Sequence, residues 1–156
     1  MENNYFGDRM RRWDRYFHDI CVAVSAKSPC LSRKIGTLLV RDHSIVSTGY
    51  NGPPRGYPHC GPVCPRHKAG LKSGQGLELC PAVHAEVNAI ANAARVGATT
   101  IGTTLYMNCC IPCKSCLSTL INAGIVEIVV DEVSPYDELS QKMLKECNIK
   151  VRSFRL

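Results

Sequence analysis

His84-Ala85-Glu86 and, further along the chain, Pro112-Cys113-Lys114-Ser115-Cys116 are the segments that decide how this 156-residue sequence is expected to fold. Each stands at the start of a stretch whose apolar residues recur at helical spacing. The two cysteines are three residues apart, which places both thiols on one face of a single helical turn. The histidine and the glutamate are two apart and share no helix face, so they can serve one site only at a helix end. The spacing therefore predicts two helix N-termini that point at the same place.

The residue types in these segments indicate a zinc site. Imidazole and thiolate are typical zinc ligands, and three protein ligands leave the fourth tetrahedral position to water, as in catalytic zinc centres. A His-x-Glu followed by Pro-Cys-x-x-Cys is the signature of zinc nucleobase deaminases. We predict that His84, Cys113 and Cys116 bind a catalytic zinc ion and that Glu86 is the general acid and base. A Cys-x-x-Cys pair alone would also fit a structural zinc or a redox site.

Outward from these segments, hydrophobic spacing predicts an alternation of helices and strands. The predicted helices cover residues 9–27, 83–97, 114–122 and 136–147. The predicted strands cover residues 35–40, 44–50, 103–107, 125–130 and 149–154. The first two strands form a hairpin pattern, and the apolar run 125–130 is typical of a buried parallel strand. Alternation of this kind favours an α/β fold with helices covering a mixed sheet.

Composition and charge indicate the cellular compartment of the chain, the state of its cysteines and the kinds of partner it could bind. No apolar run is long enough to cross a bilayer, and the N-terminal residues lack the layout of a secretory signal, so we expect a cytoplasmic protein. Ten cysteines without an export signal favour reduced thiols and bound metal over a disulfide framework. The formal net charge of +6 would suit a phosphorylated substrate, a nucleic acid or plain solubility, and it decides nothing alone.

The segment of residues 51–80 is rich in cysteine, proline and glycine and is predicted to be a long insertion loop. Within it, Cys60 and Cys64 are separated by three residues, a spacing found in structural zinc sites. We predict a second, structural zinc ion on four cysteines, with His67 as a substitute ligand; the four are Cys30, Cys60, Cys64 and Cys80. The alternative is that some of these cysteines are buried small apolar residues. Cys21 and Cys147 fall on apolar helix faces and are predicted to lie in the core.

Taken together, the motifs resemble those of the dCMP deaminases of the cytidine deaminase-like superfamily. Besides the zinc signature, three segments carry the resemblance: Ser32-Arg33-Lys34-Ile35-Gly36, Gly49-Tyr50-Asn51-Gly52-Pro53 and Ala123-Gly124-Ile125. The resemblance implies one domain over residues 1–156, built as a three-layer α/β/α sandwich on a mixed, mostly five-stranded sheet. It also implies hydrolytic deamination of dCMP to dUMP and ammonia. The Gly-Tyr-Asn-Gly-x-Pro pattern favours this branch over the tRNA adenosine deaminases.

By the same resemblance, several residues are assigned to the substrate. Asn51 is expected in the nucleotide pocket, Ala85 is expected to offer backbone contacts to the pyrimidine, and Tyr136 is expected near the base or sugar. Arg33 is a candidate for the 5′-phosphate, because a guanidinium can bind phosphate in a bidentate way. Arg95 matches a position associated with subunit contacts and effector response.

Relatives of this kind are typically homo-hexamers that dCTP activates and dTTP inhibits, with Mg²⁺ possible alongside the nucleotide effectors, and some carry a second zinc ion. One position and one segment depart from the family pattern, namely Thr37 in place of alanine and residues 108–111 before Pro112. A tRNA adenosine deaminase, a deaminase of another nucleobase and a non-catalytic zinc-stabilised binding module remain as alternatives. Binding to nucleic acid or membrane is not expected.

Overall fold

A computed structural model describes residues 5–61, 64–72 and 74–156. Residues 1–4, which entered the argument against a secretory signal, and residues 62, 63 and 73 of the predicted insertion lie outside this range. The helices are α1 (Tyr5–Ser25), α2 (Pro65–Lys68), α3 (Ala85–Arg95), α4 (Lys114–Asn122) and α5 (Glu138–Glu146), with a 3-10 turn at Leu77–Leu79. The strands are β1 (Gly36–Arg41), β2 (Ser44–Tyr50), β3 (Thr104–Cys110), β4 (Glu127–Glu132) and β5 (Lys150–Ser153).

The five strands form one mixed sheet in the order β2-β1-β3-β4-β5. β1 is antiparallel to both β2 and β3, whereas β3, β4 and β5 run parallel. The predicted hairpin is confirmed: Asp42 and His43 join β1 to β2 with φ of +49° and +60°, as a tight two-residue hairpin turn requires. The predicted buried parallel strand is also confirmed, because β4 lies between β3 and β5.

Helices cover both faces of the sheet, which confirms the predicted three-layer arrangement. On one face α1 buries Phe17 and Cys21 against a cluster that includes Tyr106 of β3. On the other face α3 and α4 bury Ala89 and Leu117 in a larger apolar cluster, which α5 extends. Each face of the sheet therefore removes a continuous apolar surface from water, the dominant favourable term in folding.

Close backbone contact between β2 and α3 places the start of α3. A Cβ atom at Gly49 would collide with the carbonyl oxygen of Ala85 and the backbone nitrogen of Ala89, so only glycine allows this approach. The side chain of Asn88 donates a hydrogen bond of 2.8 Å to the carbonyl oxygen of Tyr50 and holds the two elements in register. The Gly-Tyr-Asn segment thus positions the N-terminus of α3.

Two expectations about local structure are corrected. Cys147 was predicted to lie in the core but is exposed, because α5 ends at Glu146 and Asn148 turns the chain with φ of +53°. The insertion is less irregular than predicted, since it contains α2 and the 3-10 turn. Cys21 is fully buried, as predicted. In the part of the chain that the structure describes, every helix is too short or too polar to traverse a membrane.

Candidate active site

The N-termini of α3 and α4 meet at the carboxyl end of β3, where the spacing of the two sequence segments predicted that they would. His84 and Cys113 are the N-cap residues of these helices, with extended backbones at φ −67°, ψ 152° and φ −63°, ψ 160°. Neither side chain caps its own helix by a hydrogen bond. The imidazole and the thiol are therefore free to face each other across the helix ends.

Three side chains converge there with the geometry of a metal site. Nδ1 of His84 lies 3.2 Å from Sγ of Cys116 and 3.7 Å from Sγ of Cys113. All three donor atoms lie within 4.8 Å of one another, and within residues 5–61, 64–72 and 74–156 no other such group occurs. A tetrahedral zinc ion with the usual bond lengths would hold nitrogen and sulfur donors roughly 3.5 Å apart. The donor set and its spacing therefore fit zinc.

The electrostatics of the cluster also favour a bound cation. The hydrogen bond from Cys116, together with the one to His84, lowers the pKa of Cys113 to about 4. The same contact and burial raise the pKa of Cys116, so the two thiols compete for the ionised state. The hydrogen bond with Cys113 in turn raises the pKa of His84. A divalent cation would relieve this competition, because it deprotonates coordinating thiols.

Glu86 lies beside the cluster but outside it. It is 4% exposed in the first turn of α3, and its burial raises the pKa of the carboxyl group above the usual range. It also lines the cavity that opens in front of the three donors. A carboxylate held there without ligating the metal is placed to move protons at that wall of the cavity.

The cavity has a volume of about 280 Å³ and is lined by every residue that was assigned to the substrate by resemblance, namely Arg33, Asn51, Ala85 and Tyr136. Asn51 shapes its wall: Oδ1 accepts a hydrogen bond of 2.9 Å from the backbone of Ile35, and Nδ2 donates one of 2.8 Å to the carbonyl oxygen of Arg33. Ala85 is the first residue of α3, where backbone N–H groups have no acceptor within the helix. Arg33 and Tyr136 are exposed at the rim.

Arg95 does not reach this cavity. It lies on the outer side of α3 in a groove next to β2, together with Arg55 and Asn92. The side chain of Arg55 donates a hydrogen bond of 3.0 Å to Asn92. This position suits the surface contact predicted for Arg95, which stays a prediction.

The four cysteines predicted for a second metal are brought near one another. The pKa of Cys60 is raised first by burial and then by the neighbouring charges of Cys64, Cys80 and Cys30. Their sulfur atoms do not form a group of three within 4.8 Å in the described residues. The substitute ligand His67 is exposed. The tertiary structure thus brings the four predicted thiols near one another, and the second metal stays a prediction.

Sequence reasoning missed Asp137, which connects two elements beside the three-donor cluster. One carboxylate oxygen caps α5 by accepting a hydrogen bond of 2.7 Å from the backbone of Ser140. The other accepts one of 3.1 Å from the backbone of Lys114, next to Cys113. An aspartate just before a helix is a common N-cap, and that signal was available in the sequence. The predicted helix began at Tyr136 and so included Asp137, which was therefore not recognised as the N-cap.

Comparison with known proteins agrees with this geometry. Residues 11–132 match the family model described as the cytidine and deoxycytidylate deaminase zinc-binding region. The chain belongs to this family. The matched region includes both segments from which the zinc site was predicted.

Similar family members include curated deoxycytidylate deaminases. One from Saccharomyces cerevisiae is 37% identical over 91% of this chain, and one from Mycobacterium phage D29 is 37% identical over 78%. The match covers 45% of the yeast protein and 96% of the phage protein. The chain therefore spans less than half of the length of the yeast relative and nearly all of the phage relative.

Solved structures show how widely the fold is shared. The dCMP deaminase of cyanophage S-TIM5, solved in complex with dCMP and dUMP, superimposes with a TM-score of 0.73 at 23% identity. That match covers 89% of this chain and 94% of the cyanophage chain. A tRNA:A34 deaminase superimposes with a TM-score of 0.55 at 17% identity. At these identities the likeness establishes the fold alone.

Proposed function

We propose that this deaminase-family chain hydrolyses dCMP to dUMP and ammonia, with zinc held by His84, Cys113 and Cys116. The observation that carries the proposal is the buried, non-ligating Glu86 beside the three-donor cluster at one wall of a cavity. A purely structural zinc site has no use for such a carboxylate. The curated relatives support dCMP as the substrate, since those named above are deoxycytidylate deaminases.

In the proposed reaction, this chain's residues position the base and move protons. His84, Cys113 and Cys116 would hold the zinc ion, which would supply a nucleophile at neutral pH by lowering the pKa of water from about 15.7 to about 7. Glu86 takes one proton from the attacking water and passes it to the ring nitrogen beside C4. It then takes the second proton from the new C4 hydroxyl group and delivers it to the amino group, which leaves as ammonia. The backbone at Ala85 and the wall at Asn51 hold the pyrimidine in front of Glu86.

The substrate assignment predicts a clear order of activities. Ammonia release is measured with dCMP, deoxycytidine, dCTP and a tRNA anticodon stem-loop, with dCTP and Mg²⁺ added or withheld. We expect dCMP to be the preferred substrate. Activity on the stem-loop alone would favour the tRNA adenosine deaminase, and a zinc-loaded protein inactive on all four would favour a non-catalytic binding module.

Assembly, effectors and location belong to the same proposal. Family resemblance supports a homo-hexamer that responds to dCTP and dTTP, with Mg²⁺ accompanying the nucleotide effectors, and the outward position of Arg95 suits a subunit contact. A cytoplasmic location suits a chain that depends on reduced thiols. The response to dCTP in the assay above tests the effector part.

We also propose that a structural zinc ion draws together Cys30, Cys60, Cys64 and Cys80. Metal analysis of the purified protein is then expected to give two zinc ions per chain, and the double substitution Cys60→Ser/Cys64→Ser is expected to leave one. Cys147→Ser, which removes an exposed cysteine, serves as the matched control and is expected to keep both ions. A wild-type content of one zinc ion per chain would contradict the second site.

A further inference from the structure

Arg66, which sequence reasoning did not single out, is a buried arginine at the active-site cavity. It lies on α2 within the insertion and is only 7% exposed. It lines the same cavity as Glu86 and the zinc ligands His84 and Cys113. The insertion therefore contributes a positive charge to the substrate cavity and does not merely cover the surface beside it.

The guanidinium is held in place by backbone carbonyl groups. Nε donates a hydrogen bond of 2.7 Å to the carbonyl oxygen of Gln75, and Nη2 donates one of 2.8 Å to that of Lys72. The side-chain oxygen of Gln75 accepts a further hydrogen bond of 3.0 Å from the backbone of Lys72. Two edges of the guanidinium are thus fixed by a turn of the insertion, and within the described residues Nη1 donates no hydrogen bond.

The charge of this guanidinium is not balanced by an acid. In the ranges that the structure describes, no carboxylate lies within 4.0 Å of Arg66. A buried charge is costly unless it is paired, and carbonyl dipoles compensate it only in part. Of the described residues that line the cavity, Arg33, Arg66 and His84 have basic side chains, and Glu86 has the single carboxyl group. The basic side chains of the cavity wall therefore favour the binding of a ligand that carries an anionic group.

We propose that Arg66 binds the 5′-phosphate of the substrate, so that the insertion makes the site selective for a nucleoside monophosphate over the free nucleoside. This inference rests on the proposed function. The zinc cluster and Glu86 take the base, and Arg66 of the insertion, which lines the same cavity, takes the phosphate. A phosphate monoester matches a guanidinium because it accepts charged, directional hydrogen bonds. Arg66 is then a specificity-determining residue, and the exposed Arg33, a candidate for the same phosphate by resemblance, lines the cavity with it.

A structural role for Arg66 predicts a different pattern. If it only fastens the insertion through Lys72 and Gln75, its loss would affect every substrate alike. If it binds phosphate, its loss would affect dCMP and spare deoxycytidine, which has the same base and sugar. The comparison of these two substrates therefore distinguishes phosphate binding from a structural role, even if the substitution disturbs the fold of the insertion.

The test measures kcat and KM of the zinc-loaded wild type, Arg66→Ala and Arg66→Lys with dCMP and with deoxycytidine. For Arg66→Ala we expect KM for dCMP to rise roughly 10- to 100-fold, the loss expected for one charged hydrogen bond. We expect kcat/KM for deoxycytidine to stay within roughly threefold of wild type, well below that loss. Arg66→Lys is expected to restore part of the dCMP preference, because it keeps the charge.

Lys68→Ala is the matched control, since Lys68 is an exposed cation on the same short helix. It is expected to leave both substrates unaffected. Where deoxycytidine turnover is too slow to measure, calorimetric binding of dUMP and of deoxyuridine gives the same comparison. Equal losses for both substrates, or an unchanged KM for dCMP in Arg66→Ala, would overturn the inference and leave the proposed function standing. A wild type that does not deaminate dCMP would instead overturn the proposed function.

Discussion

Substitution of Glu86 by glutamine is expected to lower kcat for dCMP by about 10²- to 10⁴-fold, the usual contribution of a general acid and base. The amide keeps nearly the shape of the carboxyl group but cannot accept a proton from water or deliver one to the leaving amino group. Because Glu86 lies outside the donor cluster, zinc content should stay at the wild-type level. Steady-state assays and metal analysis on the same preparation measure both effects.

The matched control for this substitution is Glu146→Gln, which changes an exposed glutamate at the end of α5. It is expected to leave kcat unchanged. Glu86 is almost fully buried, so melting curves of both variants should accompany the assays to establish that the site is folded. A folded, zinc-loaded Glu86→Gln that turns over dCMP at the wild-type rate would sink the proposed mechanism.

Substitution of Asp14 by asparagine is expected to lower the free energy of unfolding substantially. Asp14 on α1 is fully buried and forms a bidentate pair with Arg152 on β5, at 2.6 and 3.0 Å. It also accepts a hydrogen bond of 2.9 Å from the backbone of Arg155. Removing one partner of a buried ion pair leaves the other uncompensated, which costs about 3 kcal/mol. Urea denaturation measures the change in the free energy of unfolding.

Arg152 retains one further acid after this substitution, because its Nε also bonds to Glu127 at 3.1 Å. That contact keeps the expected loss at the lower end of the range for buried pairs. Asp19→Asn, on the same helix and 68% exposed, is the control and should change stability by less than about 0.5 kcal/mol. If Asp14→Asn proved as mild as this control, the ion pair would not be what ties α1 to β5.

The elements near the zinc site could be predicted from sequence because their signals are local. The hydrophobic period located α4 within its observed bounds, and the spacings within the His-Ala-Glu and Cys-x-x-Cys segments implied that two helix ends meet at one place. The turn at Asp42 and His43 was predicted because these polar residues stand between two short apolar runs. The predicted burial of Cys147 was wrong, because helical periodicity does not show where a helix ends, and this helix ends at Glu146.

The sequence alone indicated the three donors that the structure brings together, the order of helices and strands, and the family. These depend on residue type and short spacing, which act within one or two turns of chain. Only the tertiary structure decided that Arg66 is buried at the cavity, and only it brought Cys30 close to the cysteines of the insertion. Burial and charge balance depend on neighbours far apart in sequence, so no local pattern of residues records them.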